Sequence, residues 1–399
     1  MPGFLVVSSS TPAMPHRWWL AAAIGGALLW GGFALASRAD GDALSFSLLS
    51  GALFGLVLQR SRFCFFCISR DFIEQRNASG LLGLLAALAV GTLGYAAVFG
   101  AFVPDPGSGR LPPGAHIGPV SWVLAAGAFS FGLGMSLSGS CISAHLYRLG
   151  EGALASPFAL LGALAGFILG FISWNPLYLG SLQQAPVVWL PGHLGYGATV
   201  LLQLAVLAVL ALVLLRFHRA PPRSPAGGDA SLYRLLFGAR WPTFVGGILI
   251  GMLGVVAYFR VAPLGVTAEL GSLARTGADQ LGLLPTRLEG LDGFSGCMTV
   301  IKQSLLSNNG VFVAGLVLAS WASALLAGDW RPRRPTLTEI GRNLAGGVLM
   351  GWGAMVALGC TVGTLLSGIM AAALSGWVFL LCCLLGLLAG LGLRRRLPG

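Results

Sequence analysis

Three cysteines stand where this chain's apolar segments turn polar. Cys64 lies in Gln59-Arg60-Ser61-Arg62-Phe63-Cys64-Phe65-Phe66-Cys67-Ile68-Ser69-Arg70-Asp71, Cys141 in Ser138-Gly139-Ser140-Cys141-Ile142-Ser143-Ala144-His145, and Cys360 in Gly359-Cys360-Thr361. A free cysteine is by default a small buried hydrophobe. That reading suits Cys382 and Cys383, which sit within a smooth leucine-rich run. It suits the other three less well, because each is surrounded by Gly, Ser, Thr or Arg. A thiol in such a setting is a weak hydrogen-bond donor.

Several other groups are secondary candidates. Arg62 and Cys67 flank Cys64, and His145 follows Cys141 by one helical turn. Arg260, Cys297 and Lys302, the chain's only lysine, stand in the second half. Cys64 and Cys67 have the CxxC spacing of dithiol exchange, so a membrane thiol/disulfide oxidoreductase is an alternative, although no βαβ pattern surrounds them. The default for His145 is a packed, hydrogen-bonded side chain, and for Arg260 and Lys302 it is interfacial snorkelling. Arg148 and Glu151 are expected to pair with each other. No ligand spacing indicates a metal site, and no Gly-rich phosphate loop is present, so no cofactor is expected.

The elements that must hold these groups are membrane spans. Of the 399 residues, 56% are hydrophobic and only 9% charged, and the mean hydropathy is +0.82, whereas soluble domains carry about 25% charged residues. Many runs approach the roughly 20 apolar residues that cross a bilayer. The net charge of +11 comes from arginine clusters between these runs, at Arg216, Arg219 and Arg223, at Arg331, Arg333 and Arg334, and at Arg394, Arg395 and Arg396. Such clusters mark cytoplasmic loops and give no reason to expect nucleic acid. The seven cysteines lie outside any obvious external loop, which argues against a disulfide framework.

The stretch around Cys141 recurs. Gly127, Gly132, Gly134, Cys141, Leu146 and Ser156 reappear at one constant offset as Gly346, Gly351, Gly353, Cys360, Leu365 and Ser375, the signature of an internal repeat. Gly247 and Gly251 likewise echo Gly51 and Gly55. The expected organisation is an N-terminal tail with an extra transmembrane helix (1–45), a first half (46–217), a cytoplasmic linker (218–240) and a second half (241–399). Trp18–Ser37 is read as an uncleaved helix, the alternative being a signal peptide. The fold class is an all-α polytopic membrane protein of about ten crossings, with both termini cytoplasmic. Its two inverted repeats would have broken or re-entrant helices meeting at a central pathway, an arrangement typical of solute transport.

Three segments carry a resemblance. Gln59 to Phe65, Gly139-Ser140-Cys141 with Leu146 to Gly152, and Gly359 to Gly363 with Ser367-Gly368 resemble the signature segments of the YeeE/YedE sulfur-transport family of bacterial inner-membrane proteins. The resemblance implies uptake of thiosulfate or a related small sulfur anion and three essential cysteines, at Cys64, Cys141 and Cys360. It also implies a soluble sulfur-carrier protein as a cytoplasmic partner beside the lipid bilayer. The chain departs from the family pattern in its leading span and in Ser140, where a glycine is expected. A channel for another small solute is the remaining alternative.

Overall fold

The computed structural model describes residues 15–219, 238–294, 299–302, 304 and 306–396. Most of the proposed linker and Cys297 therefore lie outside the described residues. Among the described residues the chain is helical, and β-structure is confined to isolated bridges. In chain order the helices are α1 (Pro15–Ala36), α2 (Asp42–Ser61), α3 (Phe65–Gln75), α4 (Ser79–Phe102), α5 (Trp122–Ser138), α6 (Ile142–Gly150), α7 (Ser156–Gly180) and α8 (Pro191–Arg216). They continue with α9 (Thr243–Arg260), α10 (Val266–Gln280), α11 (Asn308–Ala327) and α12 (Leu337–Val356). A π-helical turn (Thr361–Ser367) then runs into α13 (Gly368–Met370), and α14 (Leu374–Arg396) closes the chain.

Nine of the described helices are long and apolar enough to cross a membrane. The count rises to ten if α12 and Thr361–Met370, bent by 45°, form one span. This is the polytopic all-α fold expected from composition. α1 and α8 turn Trp30, Phe33, Leu201 and Leu212 outward, as lipid-facing helices do.

The centre is built from α5 and α12. Their glycines let two backbones approach as only small residues allow in a membrane. A Cβ on Gly127 would meet the Gly353 carbonyl oxygen at 2.9 Å and one on Gly353 would meet that of Gly127 at 2.4 Å, while Gly134 and Gly346 face each other in the same way. Residue numbers rise on one helix as they fall on the other, so α5 and α12 run antiparallel. Around this pair the contacts are reciprocal. α7 lies along α12 and α14 along α5, while α4 lies along α9 and α11 along α2. Every one of these four side pairs runs parallel, judged by the order of the touching residues, such as Gly51 with Phe312 and Gly55 with Leu316.

Candidate functional site

Each of the three singled-out cysteines is placed by one local device. A helix stops at a left-handed residue two positions before the cysteine: Arg62 at φ 49°, Gly139 at φ 82° and Leu358 at φ 57°. The cysteine itself is extended and serves as N-cap of the next short helix, Cys64 for α3, Cys141 for α6 and Cys360 for the Thr361–Ser367 turn. Gly139 adopts this conformation at no steric cost. Arg62 and Leu358 carry about 1–2 kcal/mol each for it, as side chains in the left-handed region do.

The breaks therefore set each cysteine at the N-terminus of a helical segment. The first N–H groups of a helix lack intrahelical partners and carry its partial positive charge, which favours an anion. At Cys360 one such group is seen in use, with Val362 N donating to Cys360 Sγ at 3.4 Å.

The thiols form a file. Cys64, Cys141 and Cys360 are buried, with exposures of 0%, 3% and 1%. Cys64 is within hydrogen-bonding reach of both Cys67 and Cys141, and Cys141 lies within electrostatic range of Cys360. Beyond it, Cys360 is hydrogen-bonded to the buried Thr267 near the start of α10. Thr267 thus stands to Cys360 as Cys64 stands to Cys141. The sequence offered no thiol opposite Cys64, and only the packing of α10 on the Thr361–Ser367 turn brings this hydroxyl into view.

The two ends of the file differ. On the face that gathers Arg240, Arg331, Arg333 and the α14 terminus, a cavity of about 570 Å³ is lined by Arg62, Cys67, Arg70, Tyr147, Arg148 and Glu151, among others. Cys67 belongs to its wall, while Cys64 lies behind it. On the opposite face the corresponding hollow, lined by His116, Leu124, Leu358, Thr364 and Ser375, measures only about 10 Å³, room for a single water. Hydrogen bonds tie the loops together at this end. Trp189 Nε1 donates to the Ala371 carbonyl at 3.0 Å and Gly118 N to Ser375 Oγ at 3.2 Å, and the Leu190 and Leu374 amides bind the Ala372 and Val188 carbonyls. Burial lowers the His116 pKa to about 4, so this end presents a neutral imidazole at physiological pH.

The secondary candidates divide. Cys67 and Arg62 line the large cavity, and Arg148 Nη2 donates to Cys67 Sγ at 3.2 Å. Arg148 thus turns toward the thiol where a pairing with Glu151 was expected. Glu151 instead shares the Gln59 amide with Asp329, at 3.3 and 3.2 Å. Burial raises its pKa despite the opposing charges of Arg62 and Arg148. His145 is buried, with Nδ1 3.3 Å from Ser156 Oγ, the packed histidine of the default reading. Lys302 forms an ion pair with the buried Glu269, and Ser307 Oγ bonds both partners. Arg260 is exposed, its guanidinium 5.9 Å from the centre of the Phe46 ring. Neither cation reaches the file of thiols. Among the described residues no cluster of His, Cys, Asp and Glu could hold a metal ion.

A family model described as sulphur transport matches residues 60–389. This span takes in all three cysteine breaks. The chain belongs to the sulphur-transport family. Two relatives are similar over most of their length. The thiosulfate transporter TsuA of Escherichia coli (strain K12) is 29% identical over 356 residues, 85% of this chain and 91% of the relative. The thiosulfate transporter TsuA of Spirochaeta thermophila (strain ATCC 700085 / DSM 6578 / Z-1203) is 31% identical over 353 residues, 85% of this chain and 95% of the relative. The family and both relatives are transporters rather than enzymes, which disfavours the thiol-oxidoreductase alternative.

Proposed function

We propose that the protein imports thiosulfate across the cell inner membrane by passing it along Cys64, Cys141 and Cys360. The observation that carries this reading is the file itself, with three buried thiols each capping a short helix in a chain of the sulphur-transport family. A dianion leaving water needs positive potential without a fixed counter-charge that would trap it. Helix N-termini supply partial charges of that kind. Neutral thiols add weak S–H contacts to the soft terminal sulfur, and weak contacts in series let the solute leave each position as readily as it arrives. A thiolate would repel the anion, so the thiols work in their protonated form.

Orientation is part of the same reading. The arginine-rich face with the large cavity is cytoplasmic by the positive-inside rule, which puts both termini there and makes the opposite end periplasmic. The two halves are then inverted repeats, a reading supported by the antiparallel α5 and α12 pair and the reciprocal packing around it. The conformation is open to the cytoplasm, where a soluble sulfur carrier takes over the delivered sulfur.

The test is genetic and direct. Replacing Cys64, Cys141 or Cys360 singly by alanine, in cells lacking other uptake routes, should abolish growth on thiosulfate as sole sulfur source while the protein still reaches the membrane. Normal growth of all three variants would refute the relay.

A further inference from the structure

Arg148 is a cation without a carboxylate of its own at the floor of the large cavity. Arg62 and Arg331 also line it, and several of the other charges there are paired. Arg70 pairs with Asp71 at 2.8 Å and approaches Glu74 at 3.9 Å, Arg333 pairs with Glu339, and Asp329 lies between Arg60 and Arg240 at 3.9 and 3.6 Å. Glu151 accepts from Gln59. By contrast, the hydrogen bonds of the Arg148 guanidinium go to Cys67 Sγ at 3.2 Å and, more weakly, to the Gly139 carbonyl at 3.4 Å. Among the described residues no carboxylate lies within ion-pairing distance of it. A half-buried guanidinium facing a thiol and a carbonyl has donors to spare, and its geometry suits a planar fork of oxyanion oxygens.

The thiol beside it completes the pattern. Cys67 follows Cys64 by one turn of α3 and contacts it, so one side chain touches both the cavity and the buried file. We propose that Arg148 and Cys67 form an anion station at the inner end of the pathway, specific for small oxyanions bearing a terminal sulfur. The guanidinium binds the oxygens and the Cys67 thiol meets the sulfur, so that the anion held there is one contact away from Cys64. No covalent step is involved. The station rests on the transport reading above and adds to it a fourth thiol and a full positive charge, neither of which belongs to the three-cysteine relay. The cavity, at about 570 Å³, falls within the usual range for small-ligand sites and leaves room for the anion to arrive with part of its hydration.

Two measurements on the full-length protein test this. In proteoliposomes, initial rates of labelled thiosulfate transport should give a KM raised at least ten-fold in Arg148→Gln, with an intermediate value in Arg148→Lys and a few-fold rise in Cys67→Ala. In detergent, thiosulfate should raise the melting temperature of the wild type, and this shift should vanish in Arg148→Gln. If Arg148→Gln does not fold, Arg148→Lys and Cys67→Ala decide by the same two readouts. Wild-type KM and wild-type thermal shift in these variants overturn the station while leaving the transporter intact. A wild type that binds thiosulfate without moving it, losing that binding on Arg148→Gln, overturns the transport reading and keeps the station.

Discussion

The residue that changes the picture most is Thr267. The register of the sequence repeat pairs Cys141 with Cys360 but leaves Cys64 without a partner thiol. In the folded chain Thr267 fills the equivalent place, touching Cys360 as Cys64 touches Cys141. In the proposed route, the Cys360 side thus offers a hydroxyl where the Cys141 side offers a thiol. A hydroxyl is the harder and stronger donor, suited to oxygens rather than sulfur. Thr267→Val keeps the shape and removes the donor. Since a hydrogen bond is worth about 1 kcal/mol, uptake should slow by about five-fold, with Thr267→Ser near the wild type. Initial rates of labelled thiosulfate uptake, normalised to protein in the membrane, check this, and equal rates for Val and wild type would remove Thr267 from the route.

At the scale of elements, the breaks and the crossing do separate work. Left-handed residues at Arg62, Gly139 and Leu358 lie between one helix and the next, so that each cysteine becomes the N-cap of a helical segment. The crossing of α5 and α12 holds two of those breaks at fixed spacing, and it tolerates no side chain. Gly353→Val would place atoms where the Gly127 carbonyl oxygen is 2.4 Å away. Overpacking of this kind costs about 1–3 kcal/mol. The variant should melt lower in detergent, and uptake should fall even with every thiol present. Unchanged melting and uptake would mean that the helices can slide apart without harm to the file.

For the whole molecule, the reciprocal packing and the unequal cavities are in tension. The helix contacts are reciprocal, with α4 on α9 beside α11 on α2 and α7 on α12 beside α14 on α5. Yet one end is a large charged cavity and the other a small hollow. Inverted repeats as proposed above, with unequal ends, are the expected form of one state of an alternating-access cycle. The topology that follows is testable. Reporters that signal only in the cytoplasm, fused at either terminus, should both be active, and a terminus reporting from the periplasm would break the inverted arrangement.

Much of this was legible in the sequence, for a reason specific to membranes. A bilayer tolerates polar residues only where they are shielded or functional, so the glycines, serines and cysteines interrupting the apolar runs near residues 64, 141 and 360 stood out. The crossing count followed from hydropathy, and the repeat followed from glycines kept in register by helix crossing. Other features depended on which distant segments meet. Arg148 and Glu151 are three residues apart and suggested a local pair, but folding brings Cys67 to one and Gln59 to the other. Lys302, a secondary candidate in the sequence, is neutralised by Glu269 across the fold. Thr267 had no local sign at all, and neither did the difference between the two ends. Hydrophobic pattern and repeat register are properties of neighbours along the chain, and the sequence carries them outright. Which thiol meets which cation or hydroxyl is set by helix crossings, and only the tertiary structure decides those.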